Sequence, residues 1–341
     1  MRGFGSRLAL LSAVHAAVDF ACAALFFSFL RHGESGWACM VLYNAFAFMF
    51  QLPLGILADR LNRNIPFAAV GCALVASAFL LIKIPVLAAV AAGIGNGAFH
   101  VGGGVEVLTR SPEKAGPLGV FVSPGAIGLF LGKFFAERLA LWPAVLMLVC
   151  AAALMIFGRG EKGFVSFNSP VSFGVPRGGV FALVMLFLVV VLRSYLGFTP
   201  AFGTGELLSG LPPLLSGLIP VLCLAFGKAA GGFAADAFGA RLTAVISLGI
   251  CALLLFLPIT PVFALIALFL FNMTMPITLH AAAKLLSGLK GGAFGLLTFA
   301  LFLGCVPVFL HVETPAISWL FGALALVSLI LLLLGLRKER A

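Results

Sequence analysis

The sequence predicts an all-α integral membrane protein of twelve transmembrane helices in two pseudo-symmetric six-helix halves. Three observations lead there. Hydrophobic residues make up 62% of the 341 residues and charged residues 9%, with a mean hydropathy of +1.21, whereas soluble domains carry roughly 25% charged residues. Apolar runs recur at about 18–25 residues, the length at which a helix crosses roughly 30 Å of hydrocarbon while satisfying its own backbone polar groups. A glycine and aspartate signature occurs twice, as Gly55-Ile-Leu-Ala-Asp59 and Gly232-Phe-Ala-Ala-Asp236, with 232 − 55 = 177 and 236 − 59 = 177, about half the chain.

In chain order the expected spans are approximately 6–30, 37–58, 65–83, 85–108, 116–137, 141–158, 179–199, 211–235, 242–259, 261–284, 293–311 and 315–336. The first is longer than the roughly 7–15-residue core of a secretion signal and contains His15 and Asp19, so it is read as a mature span. Spans three and four are separated at Lys83-Ile84-Pro85, where the proline forces a new start. Glycines in spans four and five (Gly93, Gly95, Gly97, Gly102, Gly103, Gly104, Gly125, Gly128, Gly132) let helix backbones approach closely, and Pro124 can bend span five. The glycine-, proline- and serine-rich stretch between spans six and seven reads as a linker on the cytoplasmic face. The expected organisation is therefore residues 1–158 as the N-terminal half, 159–178 as the linker and 179–341 as the C-terminal half.

The net charge of +10 would suit a nucleic-acid binder until the basic residues are placed on this map. With the N-terminus inside, sixteen of the 21 lysines and arginines fall on the cytoplasmic side, including Arg60, Arg63, Arg241, Lys284 and Lys290, and five do not. That is the positive-inside bias, so the charge orients the protein in an inner membrane with both termini cytoplasmic. No nucleic-acid partner is needed. The seven cysteines have no Cys-x-x-Cys spacing and sit in or beside spans, which suggests packing residues rather than a disulfide framework or a zinc site.

Polar residues within the oily spans mark the candidate site. An aspartate near a helix centre costs about 2.5–3.5 kcal/mol on insertion scales, so Asp19 calls for a partner or a water-filled cavity. His15 lies one turn earlier on the same face. Subtracting 177 from Arg193 gives position 16, so Arg193 is expected to face Asp19 and His15 across a central cavity. Such a set could exchange a proton or offer Arg193 to an anionic group, and it would equally serve as a static ion pair. His100 follows the glycine-rich segment of span four, where an imidazole could relay protons or simply be a satisfied interior residue. Asn96 and Asn272 could bind substrate or join helices by hydrogen bonds. Glu106 and His280 lie near the cytoplasmic ends of their spans and read as gate or interface residues. With 35 phenylalanines and only two tyrosines, the expected substrate is amphiphilic or aromatic rather than a sugar.

The repeated signature, extended as Gly55-Ile-Leu-Ala-Asp59-Arg60-Leu-Asn62-Arg63 and Gly232-Phe-Ala-Ala-Asp236-Ala-Phe-Gly239-Ala-Arg241, resembles the loop motif of the major facilitator superfamily. Asn62 stands where that family usually has glycine, and asparagine also tolerates a left-handed backbone. The resemblance implies the major facilitator fold and a cytoplasmic gate made by Gly55, Asp59, Arg60, Arg63, Gly232, Asp236 and Arg241; helix capping alone would also account for the carboxylates. His15-Ala-Ala-Val-Asp19, Gly95-Asn96-Gly97-Ala-Phe99-His100, Arg193-Ser194-Tyr195 and Pro276-Ile277-Thr278 resemble the fosmidomycin-resistance-like branch of the superfamily. Two departures stand out: Ala89 lies near the place of a usual arginine, and Pro124-Gly125 reverses the order of the antiporter motif.

Internally repeated helical bundles are typical of transporters. No phosphate-binding loop, nucleotide-binding domain or metal cluster is legible, so no cofactor is expected and an ion gradient is the expected energy source. The leading expectation is a monomeric secondary transporter that exports a small organic molecule with protons, its other partner being membrane lipid. A proton-coupled importer or an uncoupled facilitator would have the same fold, and a non-transporting membrane scaffold is the alternative of another class. An enzyme is not expected, because Glu106 and His100, six residues apart, do not share a helix face.

Overall fold

The computed structural model describes residues 3–159, 171–172, 174–198, 202, 208–257, 260–312 and 318–336. Twelve apolar helices follow in order among them: α1 (Phe4–Leu30), α2 (Gly36–Leu61), α3 (Asn64–Leu81), α4 (Pro85–Arg110), α5 (Gly116–Leu139), α6 (Trp142–Phe157), α7 (Gly179–Gly197), α8 (Pro213–Phe238), α9 (Ala240–Phe256), α10 (Pro261–Leu285), α11 (Lys290–Phe309) and α12 (Trp319–Gly335). Nine are long and apolar enough to cross a membrane, while α6, α9 and α12 are shorter. Each expected span coincides with one helix, and the described residues contain no strand. Leu80, Phe157, Phe238 and Leu253 each expose more than half of their surface, as helices in hydrocarbon can. The expected linker, 159–178, falls largely outside the described residues.

Local sequence explains the helix ends and irregularities. Pro85 opens α4 at a position where its missing N–H costs nothing. Asn62 closes α2 in the left-handed conformation, with φ 53° and ψ 33°, as its place in the motif requires. α5 is interrupted at Ser123, immediately before Pro124. α10 is similarly divided into Pro261–Asn272 and Thr274–Leu285. The stretches Phe26–Leu30 and Ala45–Met49 wind as π-helix.

The chain forms two compact units. Unit 1 comprises Met1–Pro112, Pro124–Phe173 and Ser287–Phe299; unit 2 comprises Glu113–Ser123, Gly174–Leu286 and Ala300–Ala341. Unit 1 therefore includes the start of α11, and unit 2 includes the start of α5. In unit 1, α3 packs along α4, and α1 along the segment of α5 after Pro124. Side chains added at Gly71 or Gly95 would run into the backbone of the facing helix, so small residues set the α3–α4 spacing. In unit 2, α8 packs against Gly116–Val122 and α10, while α12 lies against α7 and α9.

Candidate functional site

The cluster in unit 1 is built on two helices. His15 and Asp19 are one turn apart on α1, and Asn96 and His100 are one turn apart on α4. The Asp19 carboxylate accepts a hydrogen bond from Asn96 Nδ2 at 3.1 Å and lies 3.3 Å from His15 Nε2 and 3.6 Å from His100 Nε2. The two imidazoles meet at 2.8 Å between their Nε2 atoms. His100 Nδ1 lies 2.9 Å from the carbonyl oxygen of Asn96. That carbonyl can only accept, so Nδ1 carries the proton and the neutral ring presents its Nε2 lone pair to the cluster. His15 and Asn96 are buried, and the Asp19 side chain keeps 18% of its surface. Gly125 on α5 closes over the group. A β-carbon there would meet Asp19 Oδ2 and His15 Nε2, which gives this glycine a role that the reversed Pro-Gly order did not reveal.

The repeated signature makes the same structure twice. Within unit 1, the Asp59 carboxylate accepts from the backbone N–H groups of Gly291 at 2.9 Å and Gly292 at 3.0 Å, in the first turn of α11. Within unit 2, Asp236 accepts from the N–H groups of Ala115 at 2.7 Å and Gly116 at 2.9 Å, where α5 begins. Each aspartate satisfies two N–H groups that have no partner inside their own helix, and its charge meets the positive end of that helix. The paired glycine makes the approach possible. A β-carbon on Gly55 would strike the backbone at Gly291, and one on Gly232 would strike the backbone at Ala115 and Gly116. The capped segments themselves share a pattern, Lys114-Ala-Gly116 and Lys290-Gly-Gly292. That match was open to sequence reading and is the signal for the partners it missed.

The other predicted residues have different surroundings. Arg193 belongs to unit 2, where Nη1 donates to Thr278 Oγ1 at 3.3 Å. Asn272 donates to the Leu268 carbonyl of its own helix at 2.8 Å. Arg60 and Arg63 are exposed, and Arg241 donates to the carbonyl oxygens of Leu333 and Leu336 near the end of α12. Glu106 is 1% exposed and centres an ionic network. Arg7 Nη1 binds it at 2.9 Å and Arg110 Nε at 3.1 Å, with Asn64 Nδ2 at 3.4 Å. All seven cysteines are free, and six are buried.

No family model and no curated protein matches the sequence. Solved structures do match over nearly the whole chain. The fucose:proton symporter FucP of E. coli aligns with a TM-score of 0.71 at 14% identity, covering 99% of this chain and 100% of that one. The human organic anion transporter MFSD10 aligns with a TM-score of 0.68 at 16% identity, covering 94% and 99%. A structure of the major facilitator superfamily transporter FucP in its outward conformation gives 0.66 at 14% identity, covering 97% and 99%. The likeness establishes that the twelve helices have the major facilitator fold.

Proposed function

We propose that the protein is a secondary transporter, moving a small organic molecule across the inner membrane by alternating access and coupling its export to protons. The observation that carries this reading is the Asp19 carboxylate held by His15, His100 and Asn96 within apolar helices. An ionisable group at such a depth marks an ion or substrate pathway by default. Here a carboxylate and two imidazoles in mutual reach give a proton several alternative positions. Arg193, half-buried on α7 beside Thr278, is the partner for an anionic group of the substrate, and the many phenylalanines suit its amphiphilic part. The two six-helix halves, 1–158 and 179–341, are the moving bodies. The Asp59 and Asp236 caps are cytoplasmic latches that hold the starts of α11 and α5 until the gate opens. The protein works as a monomer with both termini cytoplasmic, and its short motifs resemble those of the fosmidomycin-resistance-like branch.

Proton-coupled import is the second reading, favoured by the symporter among the matching structures. A thermal-shift screen of organic anions and amphiphiles identifies ligands, since a molecule binding only the folded protein raises its apparent stability. In proteoliposomes, Asp19→Asn should retain ligand counterflow and lose accumulation driven by a pH gradient. Unchanged coupling in that variant would remove Asp19 from the mechanism, and the gradient orientation that drives uptake separates export from import.

A further inference from the structure

The His15, Asp19 and His100 side chains bring one ligand atom each close enough together to surround a single metal ion. His15 Nε2 lies 2.8 Å from His100 Nε2 and 3.3 Å from Asp19 Oδ2, while His100 Nε2 lies 3.6 Å from the other carboxylate oxygen, Oδ1; a tetrahedral zinc with ligands at about 2.0–2.1 Å sets its ligand atoms about 3.3–3.4 Å apart. Coordination through one oxygen requires the carboxylate to turn so that this oxygen faces both imidazoles, and the two ring nitrogens to part from 2.8 Å. All three ligand atoms lie within 4.8 Å of one another. The outer shell is also in place. The Nδ1–H of His100 is held by the Asn96 carbonyl, which leaves Nε2 as the ligating atom, and Asn96 Nδ2 orients the carboxylate. Partners of this kind fix the tautomer and direction of metal ligands. Gly125 keeps the space against Asp19 and His15 clear.

From this geometry we propose that the cluster binds one divalent transition-metal ion of the Zn2+ class through His15 Nε2, His100 Nε2 and an Asp19 oxygen. Two imidazoles and one carboxylate are a nitrogen-rich, borderline set, which selects Zn2+, Co2+ or Ni2+ over Mg2+ and Ca2+, both of which require oxygen ligands. Three protein ligands leave a fourth position for water or an anionic group. Metal binding here goes beyond transport, because the cluster would hold the ion whether or not protons are coupled there. Spacing in sequence could not reveal it, since His100 meets the α1 pair only through helix packing.

The test uses the full chain in detergent, purified without a histidine tag and titrated with Co2+, whose visible absorption reports coordination number and ligand type. One Co2+ per chain is expected, with the strong absorption of a four-coordinate nitrogen and oxygen site, displaced by Zn2+ and not by Mg2+. His15→Gln and His100→Gln should each weaken binding by more than about 100-fold, because removing even an outer-shell partner costs about 10–100-fold. His32→Gln, at an exposed position, should leave binding unchanged. Absence of stoichiometric Co2+ binding, displacement by Mg2+, or unchanged affinity in both histidine variants would overturn the proposal. Should either variant misfold, the wild-type stoichiometry, spectrum and Zn2+ displacement decide. If wild type binds no Co2+ while Asp19→Asn loses proton coupling, the metal site falls and the transport reading stands. Stoichiometric Co2+ binding together with unchanged coupling in Asp19→Asn would instead keep the metal site and remove the proton role of Asp19.

Discussion

Replacing Asp59 with asparagine keeps the side-chain shape and removes the charge that caps α11. Asp59 is 6% exposed, and its carboxylate accepts two N–H bonds, at 2.9 and 3.0 Å. Hydrogen bonds to a charged group contribute about 1.5–3 kcal/mol each, so the pair contributes about 3–6 kcal/mol, of which asparagine retains one neutral bond of about 1 kcal/mol. The capped segment should therefore open more easily by about 2–5 kcal/mol. Amide hydrogen exchange reads such local opening directly. At 1.4 kcal/mol per factor of ten, exchange across residues 287–299 should accelerate by about 30-fold or more. Residues 113–123, capped by Asp236, should be unaffected, and Asp236→Asn should reverse the two results. Unchanged exchange at 287–299 in Asp59→Asn would mean that the two bonds contribute nothing to holding the segment.

Other perturbations follow from the same contacts. Glu106→Gln leaves Arg7 buried without its counter-charge and should lower stability by about 3–5 kcal/mol, seen as a lower melting temperature in detergent; a further Arg7→Met change should recover part of it. Lys284→Ala should change stability by no more than about 1 kcal/mol, since the Lys284–Glu113 pair is exposed. Gly128→Ala places a β-carbon against the backbone of Ala16; overpacking of about 1–3 kcal/mol should appear as reduced yield and thermal stability, whereas alanine at Gly249, where the space is open, should have no such effect.

The helices were legible because hydrocarbon leaves a chain few options: length, apolarity and proline placement located all twelve. Asn62 was legible for a local reason, since its left-handed turn depends on its own backbone. Asp19 stood out through the cost of burying a charge, and His15 through helical spacing. What could not be read were pairings made by packing. His100 reaches Asp19 because α4 lies beside α1, and nothing in the spacing of 81 residues between them encodes that distance. Asp59 and Asp236 announced themselves by repetition, but the amides they cap belong to segments 232 and 121 residues away. Asn272 shows the converse limit. A polar side chain in an apolar run suits a substrate ligand or a bond between helices, and its amide N–H donates to a carbonyl of its own helix.

The most direct test is proton movement in sealed proteoliposomes containing a pH-sensitive dye, with a ligand identified by thermal shift added on one side. Ligand addition to wild type should change the internal pH, and Asp19→Asn should bind the same ligand without any such change. Ligand flux with no proton movement in wild type, or equal proton movement in Asp19→Asn, would contradict proton coupling through Asp19.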